Sequence, residues 1–478
     1  MSITEQINIL EAKYNLNAIE VDGFHPWTYT RFSIALDMGL NSLAVSKSAW
    51  TVVKSLASSF KKLFVLLSKK ACSPQVKVDI LFLCGGRRSY CNGIYENIYT
   101  DDIADLYPNS VTLEAPHQLM HLSPAKTKNL LYCGRVTVVS YLKFIITKQL
   151  LKHKYKQVYW QIYSLFEKPL SELVESNDIN ITRCISKMAE NYFLYKYVHK
   201  KLKKLLCYIS PKIIIEEEYY NIYNMAINEI AKDLGIPTIE LQHGVIGKEH
   251  IAYNYPDGEQ IKQFPDMVFL FSDYWKDNAS YPIEKDKLVS TGFPYFDRQV
   301  DYYKSKVDSH NEKCLVFISS MIKGFEELAV ETHDIIKHKG WRLIFKLHPL
   351  EYRNWRENYP LLSNSSIEVI DTNDRSLYEI FASCSALVCV FSTSIYEGLG
   401  FGLPVFIYDC PDTKAIEDLI SNKVVSKVKD CENLCAELET LSNQNTSTKE
   451  YLWKSGALEN MKMEIEKVLA SAPQGKHY

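Results

Sequence analysis

At 478 residues the chain is too long for one ordinary hydrophobic core, and at least two domains are expected. Its composition, 46% apolar and 23% charged with a formal net charge of −2, is that of a globular protein without the positive charge that a nucleic-acid binder needs to neutralise phosphates. Nucleic acid is therefore not expected as a partner, and small anions or sugars are; the 32 tyrosines offer the flat apolar face and polar tip that suit a sugar ring.

The 12 cysteines include no Cys-x-x-Cys pair, which argues against structural zinc and for a reducing compartment. No metal and no cofactor are expected. The N-terminus, Met1-Ser2-Ile3-Thr4-Glu5-Gln6, has neither a basic nor an apolar leader segment, and no run reaches the roughly 18 apolar residues of a membrane span. A cytoplasmic protein is expected.

Along the chain, the first seventy residues carry an amphipathic helical pattern that ends in the basic and apolar run Phe60-Lys61-Lys62-Leu63-Phe64-Val65-Leu66-Leu67. The first strand is expected at 78–84, opening onto Gly85-Gly86-Arg87-Arg88-Ser89, which reads either as an anion-facing loop or as a tight turn with solvated arginines. Residues 130–206 read as helices with two lysine clusters, Lys148, Lys152, Lys154 and Lys156, then Lys200, Lys201, Lys203 and Lys204. These are either solvated faces or a basic surface in peripheral contact with an anionic inner membrane leaflet.

From 211 onward strands and helices alternate. A strand at 212–215 ends in Glu216-Glu217-Glu218, a helix at 222–234 stops at Gly235, and a strand at 236–241 delivers Gln242-His243-Gly244 to the same sheet edge. Further strands are expected at 267–271 and 288–294, and the polar stretch 301–313 reads as a linker. A second alternating unit follows, with strands at 314–318, 343–347, 386–390 and 405–408 and a helix at 326–338. This is the pattern of two Rossmann-like doubly wound α/β domains facing a cleft. The boundaries expected are 1–300 for an acceptor-side domain, 314–448 for a donor domain, and 449–478 for a C-terminal helix returning to the first domain.

Open α/β sheets bind ligands beyond the carboxyl ends of their strands, and two polar motifs are expected there. In Lys346-Leu347-His348-Pro349, lysine and histidine alternate with apolar residues, so both can point to one face and hydrogen-bond a phosphate as its charge develops. In Ser392-Thr393-Ser394, a helix start would offer hydroxyls and free N–H groups to a phosphate, or the same residues cap the helix, with Glu397 completing a capping box. Glu397 is alternatively an acceptor for ribose hydroxyls. Gly398, Gly400 and Gly402 are costly in a helix unless something approaches its backbone closely. A base for an acceptor hydroxyl is sought among His243 and the three glutamates, whose mutual repulsion can raise one carboxyl; Glu216 and Glu218 share a face if the strand persists.

Gln242-His243-Gly244, Thr291-Gly292-Phe293-Pro294-Tyr295-Phe296-Asp297, Lys346-Leu347-His348-Pro349, Ser392-Thr393-Ser394 with Glu397-Gly398, and Gly402-Leu403-Pro404 together resemble bacterial surface-polysaccharide glycosyltransferases of the GT-B fold. The resemblance is to capsule and O-antigen enzymes and CMP-Kdo and CMP-sialic acid transferases, and more distantly to CDP-glycerol glycerophosphotransferases. It covers about 211–409. The resemblance implies an inverting, metal-independent transfer from a nucleotide-sugar donor to a glycan or lipid-linked glycan acceptor. His348, Ser392, Thr393 and Ser394 would then contact the donor with Lys346, and Glu217 or Glu218 would be the base. Tyr219 departs from the acidic-acidic-glycine pattern of the CMP-sugar enzymes, whereas the glycerophosphotransferase pattern makes His243 the base. A non-hydrolysing UDP-GlcNAc 2-epimerase and an inactive sugar-nucleotide-binding assembly protein are the alternative readings.

Overall fold

The computed structural model describes residues 2–40, 77–86, 88–116, 120–176, 180–307, 313–410, 413, 416–440 and 447–472. The expected amphipathic run at 60–70 and Arg87 lie outside the described residues. The chain divides into two compact units, Met1–Thr291 with Leu458–Tyr478, and Gly292–Ala457.

Unit 1 is built on a seven-stranded sheet of β1 (Ile80–Cys84), β4 (Ser110–Glu114), β5 (Leu130–Tyr132), β6 (Ile213–Glu216), β7 (Thr238–Leu241), β8 (Met267–Leu270) and β9 (Leu288–Ser290). Their order is β5-β4-β1-β6-β7-β8-β9, parallel throughout. A small antiparallel hairpin, β2 (Ser89–Cys91) with β3 (Ile94–Glu96), follows β1. Unit 2 holds a six-stranded parallel sheet of β10 (Cys314–Ile318), β11 (Arg342–Lys346), β12 (Glu368–Ile370), β13 (Ala386–Cys389), β14 (Val405–Tyr408) and β15 (Ser426–Val428), in the order β12-β11-β10-β13-β14-β15. Both orders reverse at the first strand of the sheet, as in doubly wound sheets, so each unit is a Rossmann-like α/β domain.

The central strands read as unbroken apolar runs because helices cover both faces of a parallel sheet: Ile80–Cys84 and Cys314–Ile318 are buried at every position. The helix Ile222–Leu234 matches its expected bounds. Asn221 caps the N–H groups of Tyr223 and Asn224, and Gly235, at φ +67°, ends it by donating to the Ala231 and Lys232 carbonyls.

Six strands escaped the sequence pattern, the hairpin pair β2 and β3 and the sheet strands β4, β5, β12 and β15. The helix Pro294–Lys304 runs into the stretch expected as a linker. The helix expected at 449–469 is two, Ser447–Leu452 and Ala457–Ser471, separated by a turn in which Gly456 has φ +71°. In the second of these, Met461, Ile465 and Val468 share one face and join Ile80, Phe82, Ile215 and Phe269 in the unit 1 core.

Gly402 answers to its φ of +79°, and Gly398 and Gly400 answer to packing. A Cβ on Gly398 would lie 2.5 Å from Leu387 Cδ2, and one on Gly400 would lie 2.4 Å from the Phe296 ring and 2.9 Å from that of Trp453. Phe296 and Trp453 are stacked at 4.1 Å, and Trp453 Nε1 donates to the Tyr396 carbonyl at 2.8 Å. The close approach that these glycines allow is therefore to the unit's own core, which corrects the ligand-based expectation. Gly400→Ala must displace a stacked aromatic pair, and a loss of about 1–3 kcal/mol is expected in denaturant titration. Gly398→Ala, which meets only the end of a leucine, should lose less.

Candidate functional site

In unit 2 the strand order reverses at β10, with β11 on one side and β13 on the other. The two motifs expected to bind phosphate follow β11 and β13, so they flank the switch point of the sheet. The loops there are tied together. Ser320 Oγ donates to the Phe391 carbonyl at 3.1 Å, and Ser319 Oγ donates to Glu351 Oε1 at 2.9 Å. Glu351 is buried, and its other oxygen accepts the His348 backbone N–H at 2.7 Å; the Tyr359 hydroxyl completes its coordination.

Within this clamp the His348 Nδ1 accepts the Leu350 N–H at 3.2 Å. A nitrogen that accepts carries no proton, so with Nδ1 engaged it is Nε2 that has a hydrogen to donate. Lys346 differs from expectation. β11 ends at this residue, so strand alternation does not carry on to His348. The lysine is buried, with Nζ on the Leu347 carbonyl at 3.1 Å, on the Tyr352 hydroxyl, and 4.6 Å from the Tyr352 ring centroid.

The start of the helix Ser394–Gly400 also departs from the pattern. Its N–H groups are taken: Ser394 donates to Ser392 Oγ at 3.2 Å, Ile395 to the Ser392 carbonyl at 3.2 Å, and Tyr396 and Glu397 to the Thr393 carbonyl at 3.1 and 3.4 Å. The Ser394 hydroxyl donates to that of Ser392 at 2.7 Å and is buried, whereas Thr393 is exposed and Ser392 half-buried. The donors this segment offers to a ligand are therefore hydroxyls. Thr393 occupies the N-cap without a side-chain cap bond, Ser392 takes the Ser394 N–H from the position before it, and no capping box forms. Glu397 instead accepts from the Tyr378 hydroxyl at 2.8 Å, and burial pushes its carboxyl up to about 6.

In unit 1 the three adjacent glutamates have three different fates. Glu216 closes β6, is fully buried, and accepts from Asn228 Nδ2 at 2.7 Å; burial pushes it up to about 8, with the charge of Glu218 adding to the shift. Glu217 is nearly buried and accepts the Gly85 N–H at 3.0 Å and Asn97 Nδ2 at 3.2 Å, joining the ends of β1 and β6. Glu218 is half-buried beyond the strand end, and its carbonyl takes Asn224 Nδ2 at 2.6 Å.

Arg88 is neither solvated nor anion-facing. It is buried in ion pairs with Glu114 at 2.6 Å and Asp101 at 3.6 Å.

His243, just past β7, keeps 15% of its side chain exposed. Its Nε2 lies 2.8 Å from the Tyr220 hydroxyl, its carbonyl accepts from the Tyr99 hydroxyl at 2.7 Å, and its Nδ1 is 3.8 Å from Glu240 Oε1. Glu240, the register partner of Glu216, accepts from the Tyr253 hydroxyl at 2.7 Å and the Tyr219 N–H at 3.2 Å; burial, then the charge of Glu216, push it well above the carboxylate range. His250 lies against the rings of Phe32, Tyr220 and Tyr253, and burial lowers it to about 4. Glu240, Tyr220 and Glu351 were not expected as site residues. The signals available for them were a glutamate inside an apolar strand, and a glutamate three residues after the His-Pro histidine.

No family model and no curated protein matches the chain. Among solved structures it is similar to a UDP-N-acetylglucosamine 2-epimerase, at 12% identity over 83% of this chain and 96% of that one with a TM-score of 0.45. A UDP-GlcNAc 2-epimerase from Neisseria meningitidis bound to UDP-GlcNAc is similar at 12% over 82% and 100%, with a TM-score of 0.41. The wall teichoic acid polymerase TagF is similar at 11% over 88% and 97%, with a TM-score of 0.43. At these identities, and with each TM-score below 0.5, the likenesses set no constraint on what this chain does.

The Glu216 carboxyl makes stability fall as pH rises. A carboxyl raised in the folded state keeps its proton while the unfolded chain loses it, so the loss begins near 4.5 and continues to about 8. Glu216→Gln removes this dependence. Between pH 5 and 8 the variant should gain roughly 3 kcal/mol on the wild type in urea denaturation.

Proposed function

We propose that the protein is an inverting, metal-independent transferase that moves a sugar from a nucleotide-sugar donor, a CMP-sugar first, to a growing surface glycan. The observation that carries this reading is His348, held by Glu351 at the switch point of unit 2 with its Nε2–H left to donate. In the reaction the acceptor oxygen loses its proton to a base and attacks the anomeric carbon, while the bond to the nucleotide phosphate breaks. The departing phosphate takes a charge-assisted hydrogen bond from His348 and further ones from the hydroxyls of Thr393 and Ser392. Lys346 lies too deep for direct contact and serves by holding the loop through Tyr352.

For the base, the environments favour His243. Glu216 is sealed, and Glu217 already accepts two hydrogen bonds on one oxygen. His243 is in part exposed and is flanked by a hydroxyl and a buried carboxyl. Glu218 is the remaining carboxylate candidate. A histidine base also supports the second reading, transfer of glycerol phosphate from CDP-glycerol.

A thermal-shift screen over CMP, CDP, UDP and GDP should single out a cytidine nucleotide, since binding raises apparent stability by mass action. With the donor so identified, His348→Ala should lower turnover by about 10²–10³ without unfolding the protein. Near-normal turnover would remove His348 from the leaving-group role. His243→Asn should bind nucleotide and not turn over; if it remains active while Glu218→Gln is dead, the base is the glutamate.

A further inference from the structure

Residues 134–166 contain Arg135, Lys143, Lys148, Lys152, Lys154 and Lys156 and no acidic residue. They form the helix Gly134–Leu150 and the first half of the helix Lys152–Ser176, joined at the single non-helical residue Leu151. On the first helix Leu142, Ile146 and Leu150 recur every four residues and are 43%, 52% and 76% exposed. On the second, Lys152, Lys156 and Trp160 recur in the same way, with Trp160 59% exposed. Spacing of four residues places each trio in one stripe. Val138, Phe144, Val158, Ile162 and Phe166 are buried, so the exposed stripes are not the core-facing sides of these helices. Lys148 is paired with Glu190 at 2.6 Å, and the other five cations are exposed.

We propose that this helical corner is a docking surface for an anionic lipid bilayer. Leucine and tryptophan side chains enter the headgroup boundary and the five cations lie against lipid phosphates, a pairing that the lack of any acidic residue leaves unopposed. Among the described residues no helix is long and apolar enough to cross a membrane, so the attachment is peripheral. The inference does not depend on which donor the protein uses.

The experiment is co-sedimentation of the full chain with vesicles of phosphatidylcholine alone or mixed with phosphatidylglycerol. Binding is expected to the mixed vesicles only, and to weaken with salt. Each basic residue near such a surface is worth about fivefold, so the triple variant Lys152→Gln, Lys154→Gln, Lys156→Gln should partition about a hundredfold less. Leu150→Ser with Trp160→Ser should also bind less. All five positions are exposed, so melting curves should match the wild type. Equal binding to neutral vesicles, or variants that bind as the wild type does, would overturn the proposal. So would variants that only convert a dimer to a monomer in light scattering, which would make the corner a self-association face.

Discussion

A parallel sheet places the carboxyl ends of all its strands along one edge, and the loops that leave this edge must find partners for backbone groups that the ladder no longer satisfies. In this protein side chains supply many of those partners. Glu217 takes the Gly85 N–H beyond β1, Gln242 accepts from Phe271 and donates to the Gly244 carbonyl, Ser320 holds the Phe391 carbonyl, and Glu351 takes the His348 N–H. Polar residues at strand ends thus divide into those that hold loops and those that the loops hold out. His243 and His348 belong to the second group, and their geometry is only as definite as the bonds made by the first.

The same edge explains the unusual carboxyls of unit 1. Glu114, at the end of β4, meets the Arg88 guanidinium and the His121 imidazole, each at 2.6 Å, so its burial is matched by a charged partner and a ring nitrogen. Glu216 and Glu240 sit at the ends of paired strands with amide and hydroxyl donors as their hydrogen-bond partners, and each has one buried oxygen with no partner in the structure. Desolvation then dominates, and both are pushed upward. Two neighbouring carboxyls raised by burial beside a histidine are the kind of perturbed cluster that more often marks a functional site than a structural one.

The sequence revealed the strands buried on both faces and the helix Ile222–Leu234, because unbroken apolar runs and a glycine stop are local signals. Three-residue edge strands such as Glu368–Ile370 carry too little pattern to be seen, and their existence depends on a neighbour contributed from elsewhere in the chain. The positions of His348 and of Ser392 to Ser394 at strand ends were legible for the same local reason. What each polar side chain does there was not. Lys346 turning onto Tyr352, Glu397 onto Tyr378, and Glu217 onto Gly85 are all choices of partner across the fold, and residue type alone could not distinguish a ligand contact from a loop contact. The glycines mislead in the same way, since a close approach to the backbone can come from a ligand or, as at Gly400, from a phenylalanine.

The crossover from β5 to β6 shows how much freedom the architecture leaves. A parallel connection needs only enough chain to return to the other end of the sheet, yet here it holds three helices, Gly134–Leu150, Lys152–Ser176 and Ile181–Ile209. They pay for their order by packing on one another and on the N-terminal segment: Trp27 stacks on Phe166, and Phe24 meets Tyr192 and Tyr195. Because the added core is made within the insertion and its own neighbours, the sequence of its outer faces is not dictated by the sheet. The acid-free stretch around Leu151 lies on such a face. Its leucines and lysines are thus open to selection for what they meet outside the protein, while the strand-end residues of the sheet remain constrained by the loops they hold.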